Sequence, residues 1–253
     1  MPAPQSPETR DPVEFHWLGD IVRLNLDDYA RDTVLVYGEE EWTWTQFDSR
    51  MRKCVTGIRS DRLQRGERIA VLARNHPVHL ESLFAASNMG LVCTWIDWRL
   101  DRAHVVRALN EAEARILFVG DEFVDLVEDC GLELTTVIST ITVGGREDEY
   151  DEWLETHETH EGVMRAAREV ATSSNRTEDP VLRLYSSLGK KGPTRGEYTH
   201  RALLASASEL LRRKALVRGD VEAVEASISM HESAVRVLAS MSAGAVTVLV
   251  REA

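Results

Sequence analysis

The sequence predicts an α/β fold, a mostly parallel layered sheet with flanking helices. Short apolar runs rich in β-branched residues recur along the chain, and segments of helical period separate them. The helical segments are about 10 to 13 residues long, the length a crossover between parallel strands needs. With 253 residues, 43% of them hydrophobic, the chain can bury one sizeable core.

Residues 1–14 carry prolines at 2, 4, 7 and 12 and read as a flexible arm, leaving 15–253 as the folded part. Strands are expected at Val34–Tyr37 and Glu41–Trp44, turning at Gly38. Thr45 is the predicted cap of a helix whose Phe47, Met51, Cys54, Val55 and Ile58 fall on one face. Arg68–Ala73 reads as a buried strand, and Pro77 suits the first turn of a helix carrying Leu80, Leu83, Phe84 and Ser87. Strand Leu91–Ile96 follows, then a helix capped by Asp101 with Val105, Val106 and Leu109, and strand Ile116–Val119. A short helix at Glu122–Cys130 and a strand at Thr136–Ser139 complete the alternation. Glu152–Val170 includes a helix, and residues 172–180 form a loop. The last expected elements are strand Val181–Tyr185, helix Arg201–Lys214, strand Val224–Met230, helix His231–Met241 and strand Val246–Val250.

Composition narrows the function. Lys and Arg number 30 against 42 Asp and Glu, a net charge of −12. Residues 101–180 hold 20 acidic and 7 basic residues, so the acid is local and reads as a solvated face. Such a balance argues against a nucleic-acid binder. No apolar run is long enough for a membrane span, and the amino terminus lacks a signal-peptide pattern. Cys54, Cys93 and Cys130 are odd in number and far apart, which fits neither a disulfide framework nor a zinc site. A cytoplasmic protein is the expectation. Trp42 and Trp44 alternate as strand residues, while Trp95 and Trp98 flank Asp97; packing is their expected use.

The segment with chemistry is YSSLGKKGPTRGEYTH, Tyr185 to His200, between a strand and a helix. A turn at the carboxyl end of a parallel strand is a favoured ligand position. Ser186 and Ser187 offer hydroxyls, Gly189, Gly192 and Gly196 permit tight turning and close backbone approach, and Lys190, Lys191 and Arg195 bring three positive charges. Polyphosphate is the natural partner for this set. On residue chemistry alone, a plain surface turn stays the alternative. GxxxxGK[ST], GxGxxG and GxSxG are all absent, which leaves P-loop, dinucleotide and α/β-hydrolase readings unsupported.

The chain resembles the first half of the acyl-CoA synthetase, or AMP-binding adenylate-forming, family (the ANL superfamily). The block RGERIAVLARNHPVHLESLFAASNMGLVCTWIDWRL, residues 65–99, then NEAEARILFVGDEF, residues 110–123, follow the family's order, with Asn75, Pro77, Ala85, Gly90, Arg99 and Leu100 at matching places. VYGEEEWTWTQFDSRMRKC resembles the opening hairpin and helix. Tyr185 to His200 resembles the phosphate loop, retaining Tyr185, Ser187, Pro193, Thr199 and His200, with Ser186 in place of a threonine. It departs at Leu188, Gly189, Lys190 and Lys191, and Thr194 stands at the lysine position with Arg195 behind it. VEASISMHESAVRVLASMSAGAVTVL resembles the block that places His231 near the acyl pocket. For His231 a strand-end or cap role is the alternative, and His200 reads first as structural, second as a general base.

The resemblance implies ATP and Mg2+ as cofactors, coenzyme A as a thiol acceptor and a carboxylic acid as substrate. The acid attacks the α-phosphate of ATP, giving acyl-AMP and pyrophosphate, and the thiol then accepts the acyl group. Only about half of a family member is covered, so activity is expected to need a complementing chain or a longer protein. A non-enzymatic interaction or dimerisation module derived from the same fold is the second reading.

Overall fold

The computed structural model describes residues 15–145, 149–159, 162, 165, 176–186 and 194–251. The expected arm, 1–14, lies outside them, as do Ser187, Gly189, Lys190, Lys191 and Gly192.

Two sheets share one core. In the first, β1 (Thr33–Tyr37) makes a hairpin with β2 (Glu40–Thr43) and runs parallel to β10 (Val246–Leu249), which runs parallel to β9 (Val221–Val224). The second has the order β6–β5–β3–β4–β7–β8. Its strands are β3 (Arg68–Leu72), β4 (Val92–Ile96), β5 (Ala114–Gly120), β6 (Ser139–Val143), β7 (Pro180–Ser186) and β8 (Thr194–Thr199). Only the β7–β8 pair in it is antiparallel. The mostly parallel α/β expectation holds.

Helix α2 (Trp44–Ser60) buries the stripe Phe47, Met51, Cys54, Val55 and Ile58. Helix α3 (Val78–Met89) is buried at every position, as a helix packed between layers must be. Gly90 ends it in the left-handed region (φ 69°), with its N–H donating to the Ala86 carbonyl. Helices α4 (Arg102–Ala112) and α5 (Val124–Cys130) cover the opposite face of the six-stranded sheet through a second cluster with Ala70, Leu72, Leu117 and Val119. Asp101 caps α4 by accepting from His104 N–H, as expected.

Asn75 ties the two sheets together. Its Nδ2 donates to the carbonyls of Ala226 (3.2 Å) and Val250 (3.1 Å), and its Oδ1 accepts from Ile228 N–H (2.8 Å). A second buried tie joins α2, α3 and α6 (Glu149–Thr156): Glu81 accepts from Tyr150 OH (2.7 Å) and from Arg50, which also reaches Asp151 (2.7 Å).

Several boundaries differ from expectation. The α2 cap is Thr43, in a capping box with Gln46, because Trp44 is wanted in the core as the first helical residue and is not a strand residue. Strand β6 begins at Ser139, where the Thr136–Ser139 strand was expected to end, since residues 139–143 are the ones that register with β5. Val224 closes β9, and the residues after it form the loop that Asn75 holds. Helix α1 (Gly19–Tyr29) and strand β8 were not expected. Of Glu152–Val170, residues through Thr156 are helical, and most of the remainder, including Val163 and Met164, lies outside the described residues. The expected 172–180 loop includes a 3-10 turn at Arg176–Glu178, and β7 begins at Pro180.

Candidate functional site

Strand β7 runs parallel to β4, and β8 folds back along it, so residues 187–193 connect the two ends of a hairpin. Ser186 pairs with Thr194, and Tyr185 with Arg195. The hairpin therefore opens at the carboxyl edge of the parallel sheet, where ligands of such sheets are bound. Ser186 and Arg195 stand at its mouth. Thr194 is the first residue of β8, and the five loop residues named above lie outside the described residues.

A charged group braces the stem. Tyr185 OH donates to Glu111 Oε2 (3.3 Å), Arg107 donates to Glu111 Oε1 (2.6 Å), and the Arg195 guanidinium lies 3.8 Å from the same carboxylate. Arg107 holds the Glu111 carboxyl below its ordinary range, with Tyr185 and Arg195 adding to that. Burial raises the Tyr185 phenol against the pull of Arg195 and Arg183. Below it, the buried Arg183 donates to Glu197 (3.0 Å) and to the Glu111 carbonyl (3.2 Å). Arg195 is exposed, so its ion pair is screened and open to exchange.

Next to the stem, the Asp97 N–H donates to the Tyr185 carbonyl (2.9 Å). Its fully buried carboxylate accepts both Arg99 Nε (2.8 Å) and a terminal nitrogen of Arg99 (2.9 Å). Trp95 is buried in the core, as expected; Trp98 stacks on Phe123, centroids 6.2 Å apart.

Thr199 and His200 act structurally. Thr199 Oγ1 caps α7 (His200–Lys214) by accepting from Ala202 N–H, and His200 Nδ1 accepts from the Leu18 N–H (3.3 Å). His231 is the exposed first residue of α8 (His231–Ser242) and stacks on Tyr198, centroids 4.7 Å apart. Tyr198 lies four positions from Thr194, about 13 Å along β8. His231 thus faces the foot of the hairpin and borders an open groove of about 750 Å³ between α7 and α8, alongside Leu210 and Val235.

The model of the AMP-binding enzyme family matches residues 23–253. The chain belongs to that family. A 3-methylmercaptopropionyl-CoA ligase of Ruegeria lacuscaerulensis is 32% identical over 157 residues, covering 58% of this chain and 28% of the relative. A long-chain-fatty-acid–CoA ligase of Thermus thermophilus is 29% identical over 213 residues, 78% of this chain and 38% of the relative. The chain therefore matches well under half the length of these curated relatives. Among solved structures, an anthranilate CoA ligase in complex with anthranoyl-AMP superposes with TM-score 0.82 at 22% identity, over 94% of this chain and 44% of that one. A Mycobacterium tuberculosis fatty acyl CoA synthetase gives TM-score 0.81 at 16% identity, over 96% and 46%. The fold is that of the adenylate-forming enzymes' amino-terminal region.

Sequence reasoning missed Glu111, Arg183 and Glu197. The Arg107–Glu111 spacing of four on a helix was a readable signal. The links from Glu111 to Tyr185 and Arg195 span 74 and 84 residues of chain, and no local pattern marks them.

Proposed function

We propose that this chain supplies the nucleotide-loop part of an ATP-dependent acid–thiol ligase. The carrying observation is the β7–β8 hairpin, whose mouth sits at the carboxyl edge of a parallel sheet in a chain of the AMP-binding family. Ser186, Ser187, Gly189, Lys190, Lys191, Gly192, Thr194 and Arg195 hold the phosphates in this reading. Their fit to a polyanion rests on the chemistry of the set, three cations with hydroxyls and small residues. In this reading Mg2+ enters with ATP, bound through the nucleotide's phosphates. ATP supplies the activated phosphoryl centre that a carboxylic acid attacks, with release of pyrophosphate and transfer of the acyl group to a thiol such as coenzyme A. His231 borders the acyl site. The chain matches 28% and 38% of the length of the two curated relatives, so the reading covers the nucleotide-loop part of the reaction.

Calorimetric titration with ATP and Mg2+ tests this reading. Saturable binding that the Lys190→Ala/Lys191→Ala variant abolishes is the expected result. A folded chain that gives no heat with millimolar ATP refutes it.

The second reading is an interaction or dimerisation module. Leu132 is fully exposed and Ile138 more than half exposed, beside the edge strand β6. Sedimentation equilibrium distinguishes the two: a stable dimer that a Leu132→Asp/Ile138→Asp variant splits favours the module.

A further inference from the structure

A second concave site lies away from the β7–β8 hairpin. The chain leaves β3 toward α3 on one face of the sheet and leaves the neighbouring β5 toward α5 on the other. Their carboxyl ends diverge at this point, and such a switch in direction opens a crevice that α/β proteins use for ligands. A cleft of about 280 Å³ occupies it. That is room for a small molecule. Tyr37 from the end of β1 and Arg251 from beyond β10 close it from the other sheet, and the Asn75 ties fix how the two sheets meet.

The charges facing the cleft are Arg74, Arg251, Asp121 and Glu122, with His76 as the further titratable group beside Tyr37. On one side the charges compensate one another. Arg74 lies over the Trp98 ring (4.7 Å) and pairs with Glu122 at 3.4 Å. Burial and the hydrogen-bonded neighbour Asp121 push the Glu122 carboxyl up.

The other side is uncompensated. Arg251 has no carboxylate partner among the described residues. Next to it, His76 Nδ1 accepts from the Val78 N–H (3.2 Å), so the ring proton sits on Nε2. Burial, with repulsion from His79, Arg50 and Arg251, drives this ring down to about 3, so it is a neutral donor at physiological pH. A guanidinium fork beside a neutral N–H donor is a pairing that accepts oxyanions.

We infer that the β3–β5 crevice binds a small oxyanion, a carboxylate or a phosphate group, through Arg251 and His76. This site does not depend on the nucleotide loop.

Nuclear magnetic resonance titration of the labelled chain, with inorganic phosphate and separately with acetate at constant ionic strength, tests it. Saturable shifts of the Gly120 and Gly144 amides are expected, since both residues line the cleft. Arg251→Ala should weaken the tighter probe at least about tenfold, the size of a lost charge-assisted bond. Arg251→Lys should weaken it less, and Lys190→Ala/Lys191→Ala should leave it unchanged. Tighter phosphate marks a phosphorylated ligand, and tighter acetate an organic acid. The inference fails if shifts stay linear to about 10 mM, if Arg251→Ala leaves them unaltered, or if the loop variant removes them.

Discussion

Two groupings of arginine, glutamate and tyrosine are built from the same chemistry and do opposite things. Arg50, Glu81 and Tyr150 join three helices in the core, where Glu81 and Tyr150 are fully buried. Arg195, Glu111 and Tyr185 brace the mouth of the hairpin, where only Tyr185 is buried and Arg195 is about half exposed. In the core, removing one partner strands a charge that water cannot reach. At the mouth, water and salt replace a lost partner at little cost, and in the proposed reading a phosphate competes for Arg195. Burial, rather than residue type, separates a fixed joint from an exchangeable one.

The sharpest way to break the comparison is Glu81→Ala. It should cost about 3–5 kcal/mol in urea unfolding, because Arg50 is left mostly buried without its main partner. A loss under about 1 kcal/mol would place the core grouping with the surface one. Asn75→Ala should cost about 3 kcal/mol by the same measurement, as it leaves buried carbonyls at the ends of two strands unpaired.

A smaller effect is expected from His79, buried against Trp95 and held down to about 4 by burial. The unfolded chain takes up a proton near the ordinary value of 6.5, so between there and about pH 4 it binds more protons than the folded one. His79 therefore lowers stability as pH falls across that window, by about 2 kcal/mol between pH 7 and roughly pH 4.5, and His76, held down to about 3, adds to the same slope. Urea midpoints for wild type and His79→Gln read it; equal slopes in the two would reject the assignment. Least disruptive is Glu111→Gln. It should leave the urea midpoint within error while tightening ATP about threefold, as Arg195 loses a competing carboxylate.

Legibility in the sequence followed the range of the interactions. The α2 stripe from Phe47 to Ile58 and the Asp101 cap were readable because their periodicity and capping are local. Strand β8 was not, since TRGEYT has no apolar alternation and earns its strand conformation by pairing with β7. Two β-branched runs compete around residues 136–143, and only registration with β5 chooses the later one. Asn75 was visible as a family position, but its partners lie about 150 to 175 residues away. The loop residues were named from chemistry and resemblance. The structure adds the stem that flanks them and the Glu111 group that braces it.

Hydrogen–deuterium exchange with and without ATP and Mg2+ tests the nucleotide-loop assignment most directly, because it reports where binding occurs. Protection should concentrate in residues 183–198, with little change at residues 74–76 and 120–122. Unchanged exchange in 183–198 at saturating ATP, or protection confined to other segments, would contradict the account.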